Sequence, residues 1–135
     1  MHTKFLLLGA ISAFIGVAAG AFGAHGLEAR LSADLLAVYE TGVRYELFHA
    51  VALLFVGLAA ERWPAARWGR TGWMFLVGTV LFSGSLYALA LTGERWLGAV
   101  TPLGGVCFLA GWIFAAMAAL RSASSDPGAA SPGAE

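Results

Sequence analysis

Charged residues are few in this chain: 12% of 135 positions, with eight basic and eight acidic side chains. A soluble domain carries about 25%. A water-soluble fold of this size could not enclose so large a hydrophobic share, 59%, because small domains leave much of their surface in solvent. The formal net charge of zero excludes the basic field that a nucleic-acid partner needs and the acidic tail that a cationic partner would need. Cys107 is the sole cysteine, so no intrachain disulfide can form and cysteine gives no indication of redox compartment. A nucleophile–base pair, a phosphate-binding loop and a strong metal motif are all missing from the sequence. Neither enzymatic activity nor a cofactor is therefore expected, and no metal site is assigned.

What the chain does have is four apolar runs, over roughly residues 5–24, 43–60, 72–92 and 102–120. Crossing a hydrocarbon core about 30 Å thick takes about 20 helical residues. The expected fold class is therefore all-α: an integral membrane four-helix bundle over residues 1–120, followed by a disordered tail over 121–135 whose two prolines and lack of apolar periodicity oppose packing. The lipid bilayer is the first partner this implies. Lys4 and the small residues Ala21–Ala24 imitate a cleavable leader, but the apolar run is longer than the 7–15 residues of a signal core.

Local punctuation fits this division. Thr101-Pro102 reads as an N-cap with proline at the first helical position, and Thr71 reads as a cap for the third span. Ser32 reads as the cap of a helix that begins before the second span, with Asp34 in its first turn. Leu27, Leu31, Leu35 and Tyr39 recur every four positions, an apolar stripe expected to form an amphipathic interfacial helix between the first and second spans or, alternatively, a packed loop helix.

Five basic residues (Lys4, Arg62, Arg67, Arg70 and Arg121) fall on the side of both termini, against three (Arg30, Arg44 and Arg95) on the other. That bias predicts a multi-pass protein of the bacterial inner membrane with both termini cytoplasmic, anchored by Trp63, Trp68 and Trp73 at the inner boundary and Trp96 at the outer. Small residues form stripes suited to close helix approach: Gly9, Ala13, Gly16, Gly20 and Gly23 on the first span, and Gly104, Cys107, Gly111, Ala115 and Ala118 on the fourth. The stripes serve contacts within one bundle or between copies equally well, so a homo-oligomer or a larger membrane complex is expected among the partners.

Polar groups gather in the outer half of every span: His25 on the first, Glu46 and His49 on the second, Ser83, Ser85 and Tyr87 on the third, and Thr101 at the mouth of the fourth. Ionisable groups inside a span are expensive and point to function by default. Three readings fit this pattern. The groups can hydrogen-bond one another and fix helix register at roughly 1 kcal/mol or less per pair. They can form an outward-facing site for an ion or small molecule, with Glu46 and His49 as proton-linked groups. Or two histidines and one carboxylate can hold a metal, since Glu46-x-x-His49 is half of a di-iron bundle motif whose second half only a dimer could supply.

The segments Gly20-Ala-Phe-Gly-Ala-His-Gly26, Val43-Arg-Tyr-Glu-Leu-Phe-His-Ala50, Leu81-Phe-Ser-Gly-Ser-Leu-Tyr87 and Thr101-Pro-Leu-Gly-Gly-Val106 resemble, in this order, the small membrane proteins grouped as domain of unknown function 423. The resemblance covers about residues 3 to 120. It implies a four-helix membrane protein and supplies no activity. The family more often has glutamine where this chain has Glu46, and glutamine can hydrogen-bond but cannot carry a charge. The resemblance therefore implies a neutral polar cluster over a metal or proton-transfer site. The preferred functional class is a small membrane interaction or assembly protein, and the alternative is a minimal ion- or proton-coupled carrier working as a dimer.

Overall fold

A computed structural model describes residues 3–124 of the chain. Among these residues the structure is helical, with four helices long and apolar enough to cross a membrane. They are α1 (Thr3–Phe22), α2 (Ala33–Arg62), α3 (Gly69–Thr92) and α4 (Thr101–Ser124). A π-helical turn, Gly23–Leu27, prolongs α1, and short 3₁₀ turns at Pro64–Ala66 and Arg95–Ala99 join the later helices.

No separate surface helix lies between the first two spans. Ser32 caps α2, its hydroxyl accepting from the Leu35 amide at 3.3 Å with Asp34 in the first turn, and the helix then runs unbroken for 30 residues. At 1.5 Å per residue that is about 45 Å, longer than a hydrocarbon core of about 30 Å. The apolar stripe of Leu35 and Tyr39 is thus the N-terminal extension of the spanning helix. Gly42 does not interrupt it: the missing side chain makes room for a neighbour, and a Cβ there would stand 2.9 Å from the Tyr87 ring.

Three other expectations are corrected. Thr71 does not cap α3, which begins at Gly69, and the Thr71 hydroxyl is buried without a partner. Trp68 is not an interfacial anchor but a core residue, 3% exposed, whose indole N–H donates to Ser122 at 3.3 Å. Helix α4 runs on through Ser124, so residues 121–124 are helical, whereas the rest of the expected tail, 125–135, lies outside the described residues.

Each helix packs on its sequence neighbours, α1 on α2, α2 on α3 and α3 on α4, while α1 and α4 share no substantial interface. The approaches are antiparallel and close because small residues line them. Along α1, Gly23, Gly20, Gly16 and Gly9 meet Tyr39, Val43, Leu47 and Leu54 of α2 in turn. Between α3 and α4, Gly104 faces Phe82, Gly78 faces Phe108 and Gly111 faces Phe75. With no hydrophobic drive between helices in lipid, contact at this range supplies the attraction. Large apolar side chains such as Phe14, Phe48, Val80 and Leu109 point outward instead, where hydrocarbon solvates them.

Candidate functional site

Glu46 and His49 share one side of α2, but three residues of helix rotate the chain about 300°, which leaves their directions about 60° apart. That offset sends them to different neighbours. Glu46 turns toward α1 and α3 and is 5% exposed. Its Oε2 accepts from the Tyr87 hydroxyl at 2.6 Å, and its Oε1 accepts from the Ser12 hydroxyl at 3.4 Å. Among the described residues, no hydrogen bond or ion pair joins it to a basic side chain. The absence of a side chain at Gly16 gives the carboxyl its place, since a Cβ there would stand 3.4 Å from the Glu46 Cγ.

Because α2 begins at Ala33, Glu46 lies about 20 Å from the N-terminal end of that helix at 1.5 Å per residue. Its partner Ser12 is near the middle of α1. The carboxyl is accordingly near the middle of both helices.

His49 turns toward α4. Its Nδ1 lies 2.8 Å from the Tyr45 carbonyl oxygen and its Nε2 lies 3.3 Å from the Trp112 indole nitrogen. A carbonyl can only accept and an indole N–H can only donate. Both contacts are satisfied together by the neutral imidazole with its proton on Nδ1. The ring is also stacked on Phe108, with centroids 3.5 Å apart and planes at 10°. With both nitrogens engaged, His49 has no lone pair to offer a metal.

The remaining polar residues form separate small contacts. Ser83 donates to the Gly42 carbonyl at 2.7 Å, tying α3 to α2. Ser85 lies 2.9 Å from the Phe82 carbonyl oxygen and 2.7 Å from the Thr101 hydroxyl, tying α3 to α4. His25 is exposed on the π-helical turn and joins none of these contacts, and Cys107 is a half-buried free thiol. The expected cluster is therefore divided into separate sets of contacts around Glu46, His49, Ser83 and Ser85. Among the described residues no three His, Cys, Asp or Glu side chains converge as metal ligands, so His25, Glu46 and His49 do not form the carboxylate–histidine triad that composition allowed.

Three residues that take part were not singled out from the sequence. Ser12 is the one hydroxyl on the buried, glycine-rich face of α1, a position readable from its spacing of three and four to Gly9 and Gly16. Trp112 gives no such signal, since a tryptophan in mid-span reads as apolar bulk. Tyr39, which donates to the Ala19 carbonyl at 2.9 Å and packs against Tyr87 with ring centroids 5.0 Å apart, was read only as part of the stripe. Its ring fills the space left by Gly23, where a Cβ would lie 2.9 Å away. Gly20 and Gly23 thus let the end of α1 and the π-helical turn approach Val43 and Tyr39 of α2.

Among proteins with curated names, this chain is similar to the UPF0382 membrane protein YwdK of Bacillus subtilis, 47% identical over 118 residues that span 87% of this chain and 96% of the relative. The UPF0382 membrane protein SERP0230 of Staphylococcus epidermidis is 45% identical over 120 residues, 88% of this chain and 97% of its own length. The UPF0382 inner membrane protein YgdD of Escherichia coli is 46% identical over 123 residues, 90% and 93% of the two chains. No solved structure matches the chain. The family model described as "Protein of unknown function (DUF423)" matches residues 19–105, a stretch that takes in the π-helical turn, Glu46, His49 and the Ser85–Thr101 contact, and the chain belongs to that family.

Proposed function

We propose that this protein is a small interaction or assembly component of the bacterial inner membrane rather than an enzyme, built to hold a rigid helical surface for a second copy or another membrane protein. The observation that carries this reading is that Ser83, Ser85, Thr101 and both nitrogens of His49 are occupied by neighbouring helices or backbone. Groups engaged in this way set register and rotation between helices. An orientation with both termini cytoplasmic accords with Lys4, Arg62, Arg67, Arg70 and Arg121 falling at one end of the helices.

Native mass spectrometry of the full chain, purified from its own membrane in lipid nanodiscs, tests the proposal. A fixed stoichiometry with a second copy or another membrane protein is expected. A monomer without a stoichiometric partner overturns it.

An ion- or proton-coupled carrier working as a dimer is the second reading, and it draws on the burial of Glu46 without a basic partner among the described residues. Proton flux into proteoliposomes that is lost in Glu46→Gln selects that reading.

A further inference from the structure

Glu46 is the acidic member of the polar set, and it borders open space together with Ser83 and Tyr87. A crevice of about 260 Å³ lies between α1 and α3 above α2. Glu46, Thr79, Ser83 and Tyr87 form its polar lining, and Ile15, Val80 and Gly84 frame its mouth. All three mouth residues are exposed, and they lie on mid-helix turns of the candidate spans α1 and α3, where hydrocarbon rather than water is the expected surrounding. The crevice therefore opens sideways into the bilayer.

Its lining has an unusual hydrogen-bond balance. Thr79 donates its proton to the Phe75 carbonyl at 2.9 Å, and Ser83 donates to the Gly42 carbonyl at 2.7 Å. Tyr87 donates to Glu46 itself at 2.6 Å. All three hydroxyl protons are thus committed, and only oxygen lone pairs remain for an occupant. A carboxylate has about four lone-pair sites, and the two hydroxyls that reach Glu46 leave the others free. A site of acceptors with one buried acid and, among the described residues, no basic partner favours a cationic donor.

A bare metal ion would have to shed its water before entering from hydrocarbon, and hard cations take six or more oxygens. A primary ammonium has three N–H donors and can travel on an apolar chain, so it suits both the lining and the lateral opening. We propose that this crevice binds the primary ammonium group of an amphiphilic amine that enters from the lipid, with the Glu46 carboxyl as its acceptor and counter-charge. The site is independent of what the bundle assembles with.

Hexylamine is a suitable probe, with hexanol as a neutral control of similar length. The full chain is melted in phosphatidylcholine nanodiscs against increasing concentrations of each. Hexylamine is expected to raise the melting temperature saturably while hexanol does not. Glu46→Gln should raise the half-saturating hexylamine concentration by about tenfold or more, the scale of losing one charge-assisted hydrogen bond. Gly84→Leu supplies a second variant, because a Cβ at Gly84 meets nothing within 4 Å. It should stay folded, close the mouth and abolish the response.

Introducing phosphatidylethanolamine distinguishes the source of the ammonium. A rise in melting temperature from this lipid alone assigns a headgroup, and a rise from hexylamine alone assigns a free amine; both uphold the ammonium site. Equal responses to hexylamine and hexanol, or an undiminished response in both variants, overturn it.

Discussion

Adding one methyl group at Gly104 and, separately, at its neighbour Gly105 gives the sharpest test of how α3 and α4 are held together. A Cβ at Gly104 would lie 2.7 Å from the Phe82 Cβ and 2.8 Å from its Cα, with the Phe82 backbone nitrogen also inside contact range. Carbon atoms rest at about 3.5–4.0 Å, so the two helices must separate by roughly 1 Å. The obstruction is backbone, which cannot rotate aside as a side chain can. At Gly105 the nearest atoms are Phe82 ring carbons at 3.9 Å, an ordinary contact.

Glycine-to-alanine replacement within a helix gains about 1 kcal/mol at either site from backbone propensity, so that contribution cancels between the two variants. The clash remains, and overpacking a close-fitted interface costs about 1–3 kcal/mol. Gly104→Ala should therefore be less stable than Gly105→Ala by about 1–3 kcal/mol. The loss should be accompanied by a weaker Ser85–Thr101 contact, since that hydrogen bond spans the same pair of helices. Reversible unfolding of both variants by a denaturing detergent, in micelles of fixed composition, measures the difference directly. Equal stabilities, or a Gly105 variant that is the weaker, would refute the close α3–α4 approach.

Other outcomes follow from the same contacts. Glu46→Gln should leave stability nearly unchanged, because an amide can accept from one hydroxyl and donate to the other. Glu46→Ala should lose about 1–2 kcal/mol by leaving the Tyr87 and Ser12 hydroxyls unpaired, and should combine sub-additively with Tyr87→Phe in a double-mutant cycle; full additivity would sever the two residues. Nitrogen-15 NMR of His49 should report a neutral ring protonated at Nδ1 that stays so in Trp112→Phe, and a proton on Nε2 would contradict the Trp112 contact. Gly16→Leu should destabilise far more than Leu7→Ala, since a Cβ at Gly16 would stand 2.8 Å from Leu47 whereas Leu7 is exposed; equal effects on detergent unfolding would place the small-residue stripe toward lipid. Reporter fusions after Leu120 and within residues 93–100 should report opposite compartments, with the former cytoplasmic, and the reverse result would invert the proposed orientation.

The number of spans and the small-residue stripes were legible in the sequence because each depends on nearby positions. Eighteen to twenty apolar residues in a row have one economical arrangement in a bilayer, and glycines spaced three and four apart must share a helix face. The cap at Ser32 was legible for the same reason, since its partner Leu35 is one turn away. Tertiary structure alone decided where each polar group turned. Glu46 and His49 are neighbours on one helix, yet one meets Ser12 and Tyr87, 34 and 41 residues distant in the chain, and the other meets Trp112, 63 residues distant. An offset of about 60° around α2, acting with the order in which four helices pack side by side, divides what composition presented as one cluster. The same packing made Gly42 a contact for Tyr87, because whether a glycine breaks a helix or admits a neighbour depends on what lies across from it.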